Sequence, residues 1–168
     1  MDAIVLSLTP HGDTSSLLYV YTKTYGRMMF VVYGKKGTSN GKKSKANLNI
    51  LYPMSVVQIT ADINPVKQYN YVKSVSLSYI PRSLLSDTKK MCISLFIAEA
   101  FSKVVKHQME DEELYKFLLG SIKELDSADS VENIPELFIE RLSVVLGYGG
   151  EVIDELKDLS SYELIKMF

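Results

Sequence analysis

Five short runs of alternating apolar and polar residues fill the first 80 positions of this 168-residue chain, with almost no helical period among them. Ile4, Leu6 and Leu8 alternate with Ala3, Val5 and Ser7. Pro10-His11-Gly12-Asp13 is a turn signal, and Leu17 to Thr22 follows as a second strand of aromatic and branched residues. Lys23-Thr24-Tyr25-Gly26 connects tightly to a third, Arg27 to Tyr33. Val57, Ile59, Ala61 and Ile63 alternate with Val56, Gln58, Thr60 and Asp62, and Asn64-Pro65 turns the chain. In the last run Tyr69, Tyr71, Val75, Leu77 and Tyr79 share one face, opposite Asn70, Ser74, Ser76 and Ser78. Five strands with short turns predict a small closed or half-closed barrel, and closure removes the edges such strands would expose.

Pro81 marks a change of class, which makes the chain α+β, strands first and helices after. Leu84 to Lys106 is apolar nearly all round and predicts a central helix packed by neighbours. Asp111 to Leu125 predicts a second helix, with Leu114, Phe117, Leu118, Ile122 and Leu125 on one face. Asn133-Ile134-Pro135-Glu136 predicts a third helix start, with Asn as cap and Pro in the first turn, and Gly147 its stop. Ser160-Ser161-Tyr162-Glu163 reads as a capping box opening a last short helix. The expected domains are 1–80 and 81–168.

Composition narrows the class. An apolar fraction of 46% with 23% charged residues is that of a globular protein rather than a disordered one. The single cysteine, Cys92, allows no disulfide within the chain and fits a reducing, cytoplasmic setting. Met1-Asp2-Ala3-Ile4 lacks the features of a signal peptide, and no apolar run nears the ~18 residues that span a membrane.

Catalysis finds little support. His11 and His107 belong to different modules, neither is in a metal-spaced pair, and no CxxC occurs. Cys92 lies among apolar residues with no base in view, which suits an inert buried thiol. Gly37, Gly41 and Lys42 imitate a phosphate-binding loop with the wrong spacing. Glu110-Asp111-Glu112-Glu113 is better read as a helix start, where carboxylates meet the positive end of the dipole, than as an acid–base pair. No catalytic residue, metal or cofactor is expected.

Charge is more informative once the chain is divided. Met1 to Arg82 holds ten basic and three acidic residues, a formal +7, while the remainder carries −8. Lys35, Lys36, Lys42, Lys43 and Lys45 crowd a Gly-, Ser- and Asn-rich segment after the third strand, with Lys23 and Arg27 at adjoining strand ends. Such lysines can each neutralise a phosphate of a polyanion, releasing counterions. Unpaired strands also require stacking surfaces, and eight of the 11 tyrosines precede Arg82; Tyr25 is the first candidate. The rival reading is a protein-interaction adaptor whose acidic half docks a partner, with little DNA affinity.

Ala3-Ile4-Val5-Leu6, Gly12-Asp13, Tyr21-Thr22, Tyr25-Gly26-Arg27 and Tyr33-Gly34-Lys35-Lys36-Gly37, in that order, resemble the N-terminal domain of the RecO recombination-mediator family. Leu51-Tyr52-Pro53-Met54 fits the same domain. Ile97-Ala98-Glu99-Ala100-Phe101 and Phe138-Ile139-Glu140-Arg141-Leu142 with Leu146-Gly147-Tyr148 resemble the family's helical part. The resemblance implies an oligonucleotide-binding (OB) barrel. It further implies binding of single- and double-stranded DNA, strand annealing, and work with RecR and single-strand-binding protein. It would place Arg27 and the lysines of 35–45 on the DNA-binding face. Many members carry a four-cysteine zinc site after the Leu-Gly-Tyr helix; here Gly149-Gly150 follows and no cysteine does, so no zinc is expected. Typical members also run longer, so the chain reads as a short form or a piece of one.

Overall fold

The computed structural model describes residues 1–33, 48–64, 67, 69–106, 111–148 and 151–167. Five strands, β1 (Asp2–His11), β2 (Ser15–Thr22), β3 (Gly26–Tyr33), β4 (Val56–Ala61) and β5 (Asn70–Tyr79), form a closed barrel in the order β1-β2-β3-β5-β4. All pairings are antiparallel except β3 with β5, where Phe30 faces Asn70 and Val31 faces Tyr71 in parallel. Among the described residues, six α-helices follow: α1 (Arg82–Ser86), α2 (Thr88–Val104), α3 (Glu112–Ser127), α4 (Ile134–Leu146), α5 (Glu151–Lys157) and α6 (Ser160–Ile165). The chain divides into two compact units, the barrel with Asp111 and Glu112, and the helices.

The barrel fills its interior from alternate positions. Leu18 and Val20 of β2 and Met28, Phe30 and Val32 of β3 pack with Ala3, Val5, Val57, Ile59 and Val72. Strand residues two apart share a face, so Tyr19, Tyr21, Arg27, Met29 and Tyr33 occupy the outer side. The interior face of β1 is thus Ala3 and Val5; Ile4 and Leu6 are also buried, on the other face. A register shift between Val5 and Ser7 then returns Leu8 to the core.

Two turns hold the barrel together. Between β2 and β3, the buried Thr22 hydroxyl donates to Gly26 O and accepts from Tyr25 N, both at 3.0 Å. Gly26 there has φ 63°, a value that costs little only for glycine. Before β4, Met54 takes φ 68° with its side chain fully buried, and its N–H bonds Val5 O at 2.8 Å.

Departures from the expected pattern have local causes. On β5, register shifts between Val56/Val57 and Thr60/Ala61 put Val72 in the core, so Tyr71 does not share the face of Val75 and Leu77. The apolar helix expected from Leu84 is broken at Asp87, whose carboxylate accepts from Lys89 N and Lys90 N and caps α2. No capping box forms at 160–163: the cap position is Leu159 and no side-chain bond is made. Asn133 holds the cap position of α4 without a side-chain bond, and Gly147 ends that helix at φ 69°. Helix α5 carried no expectation.

Within the helical unit, α2 is buried along most of its length. Lys90 is 7% exposed, and its Nζ donates to Asp126 O (3.0 Å) and Ser83 Oγ (3.2 Å). Ser83 in turn donates its N–H and hydroxyl to the Asp126 carboxylate, at 2.9 and 2.7 Å. One buried ammonium therefore ties α1 and α2 to the end of α3.

Candidate nucleic-acid interface

Of the candidate cations, Lys23 and Arg27 fall within the described residues. Lys23, in the β2–β3 turn, lies 3.0 Å from Glu112, with both side chains about half exposed. Such a surface pair contributes ~0–1 kcal/mol, and it partly cancels the positive charge there. Tyr25, in the same turn, is 39% exposed and borders a shallow concavity with Met1, Ile59 and Ile63. Arg27 opposes Tyr21 across the β2–β3 ladder, and its guanidinium sits 6.0 Å from the centre of the Tyr19 ring, at the outer limit of a cation–π contact. Lys35, Lys36, Lys42, Lys43 and Lys45 lie outside the described residues.

Gly26 and Tyr33, the two ends of β3, are about 24 Å apart along the strand. Lys23, Tyr25 and Arg27 gather at the first end, whereas the sequence runs on from Tyr33 into the five-lysine segment. Positions 1–80 without those lysines hold Lys23, Arg27, Lys67 and Lys73 against Asp2, Asp13 and Asp62. Lys73 is itself paired with Asp62 at 2.5 Å. The positive charge of the N-terminal half therefore resides in the segment, not on the strands.

Aromatic side chains collect at the second end of β3. The rings of Tyr33 and Tyr71 are 6.1 Å apart and 3° from parallel. His11 and Tyr69 sit 6.3 Å apart at 36°. His11 faces Ser15, which faces Tyr33, so the two pairs are neighbours across the ladder. Tyr71 is 49% exposed. Sequence reasoning singled out Tyr25 and found no metal-spaced partner for His11. The Tyr33–Tyr71 meeting depends on the parallel β3–β5 register, which no local pattern encodes.

Deeper in this unit, Tyr21 is fully buried. Burial first, then the negative charge of Asp111, push its phenol up to about 12, while a hydrogen bond with the Asp111 backbone opposes them. The acidic run behaves as a helix start: α3 begins at Glu112. Among the described residues no cluster of three or more His, Cys, Asp or Glu is placed to hold a metal. Cys92 is buried and, with Ile93, Pro135 and Tyr162, lines a cavity of about 260 Å³ in the helical unit. No described helix is long and apolar enough to cross a membrane.

A five-stranded barrel of this order followed by helices defines an OB-fold protein with an appended helical unit. Residues 1–80 match the family described as "Recombination protein O N terminal". The chain is 30% identical over 145 residues to the DNA repair protein RecO of Phocaeicola vulgatus, covering 86% of this chain and 58% of that protein. It is 27% identical over 158 residues to that of Porphyromonas gingivalis (90% and 64%) and 24% identical over 163 residues to that of Christiangramia forsetii (97% and 66%). The chain is thus similar over most of its length to RecO proteins, which are named as DNA repair proteins. It spans about 58% of the length of the first of these relatives.

Proposed function

We propose that the protein is a non-catalytic mediator of DNA repair and recombination that binds DNA through its barrel, residues 1–80. The lysines of 35–45 neutralise backbone phosphates without reading sequence, and Arg27 and the partly neutralised Lys23 add weaker contacts at the other end of β3. A strand held this way is available for annealing or handover. The observation that carries this reading is the five-lysine segment leaving an OB barrel whose strands are otherwise near neutral. Similarity to RecO proteins supports single- and double-stranded DNA as ligands. It also supports RecR and single-strand-binding protein as partners, in the cytoplasm, with residues 81–168 supplying packing and partner contacts.

Charge reversal tests it. Replacing Lys42, Lys43 and Lys45 with Glu should weaken binding of single-stranded DNA by an order of magnitude or more. It should also flatten the dependence of log affinity on log salt by about 2, at ~0.7 per phosphate. Unchanged affinity and slope would remove the segment from the binding face. The adaptor reading rests on the −8 of the second half. It would be favoured if the wild-type chain showed no DNA binding even at low salt.

A further inference from the structure

We propose that Tyr33 and Tyr71, flanked by Tyr69 and His11, form a stacking platform for the bases of unpaired DNA, which makes the barrel prefer single strands over duplex. The inference rests on the DNA-binding reading above and concerns bases, where that reading concerns phosphates.

Three observations carry it. The Tyr33 and Tyr71 rings are parallel within 3°, so bases stacked on them lie parallel to one another, as neighbouring bases of one strand do. Tyr71 keeps 49% of its surface in water, so its ring is open to a ligand. The interior cluster of the barrel includes none of the four aromatic residues, so the fold does not use them as core. They come from β1, β3, β5 and the residue before β5, gathered at one strand end by the closure of the barrel.

The chemistry of exposed aromatic rings suits bases. Lys73, the cation two residues from Tyr71, is paired with Asp62. Aromatic faces accept any base, because every base has a π-face, and a duplex hides those faces within its own stack.

The test uses the full chain in fluorescence anisotropy with three probes of equal length: oligo-deoxythymidine, an abasic backbone without bases, and a duplex. Combined Tyr33→Ala and Tyr71→Ala should weaken oligo-deoxythymidine binding at least about five- to 150-fold, the range of one lost base stack. Affinity for the abasic strand and the duplex should stay as in wild type, and so should the salt slope, since no phosphate contact is lost. Tyr71→Phe should retain binding because the ring remains. Tyr71→Leu, at an exposed position, tests the ring alone if the double variant melts early. Wild-type binding to the abasic strand as tight as to oligo-deoxythymidine would overturn the platform, as would folded ring-less variants that bind like wild type. Either result leaves phosphate binding standing, whereas no wild-type binding to any probe would sink both readings.

Discussion

Tyr21 and Tyr162 illustrate what burial does to a single titrating group. Tyr21 is raised to about 12 chiefly by burial. Tyr162 is also raised to about 12, by burial first and then by the hydrogen bond it donates to Glu136 at 2.8 Å. An unfolded tyrosine titrates near ~10. The folded chain therefore keeps protons that the unfolded chain has released. Their contribution is complete below pH ~10 and is lost as pH rises from about 10 through about 12. The denaturant midpoint should be flat in this respect up to about pH 10 and fall beyond it, and Tyr21→Phe should make the fall shallower. A Tyr21→Phe variant with the same alkaline profile as wild type would remove Tyr21 as a contributor.

At the level of elements, the helical unit depends on one buried cation. Lys90→Ala removes the donor that Asp126 O and Ser83 Oγ share, at the junction of α1, α2 and α3. Hydrogen bonds from charged groups contribute ~1.5–3 kcal/mol, so urea unfolding should show a loss of about 2–3 kcal/mol. A loss below about 0.5 kcal/mol, the usual scale of surface substitutions, would show that the junction holds without it. Element positions were largely legible in the sequence, because alternation and helical spacing are local. Strands β1, β2 and β3 contain the runs that announced them, whereas β4 ends at Ala61, short of Asp62 and Ile63, and β5 begins at Asn70, one residue after Tyr69. The misreadings share a cause: they depend on one-residue irregularities or on caps. The β5 bulge moved Tyr71 off the expected face. The Asp87 cap split one apolar run in two, although Ser86-Asp87-Thr88 carried a readable cap signal. The capping box at 160–163 had the right residues one position out of place.

At the scale of the whole chain, the division of charge was legible and the geometry of the site was not. Counting residues alone separates +7 from −8 and isolates the lysines of 35–45. It could not reveal that Lys23 is paired with Glu112, or that β3 separates Tyr25 from the end where that segment begins. Aromatic positions were visible too, but their grouping comes from strand pairing between residues forty positions apart. The central claim is that the barrel binds DNA through phosphate neutralisation by these lysines. Titrating the wild-type chain into fluorescent single-stranded DNA at a series of salt concentrations tests it directly. Engagement of all five lysines predicts affinity that falls with log salt at a slope of about −3.5, at ~0.7 per phosphate. A slope near zero, or no binding at low salt, would contradict it.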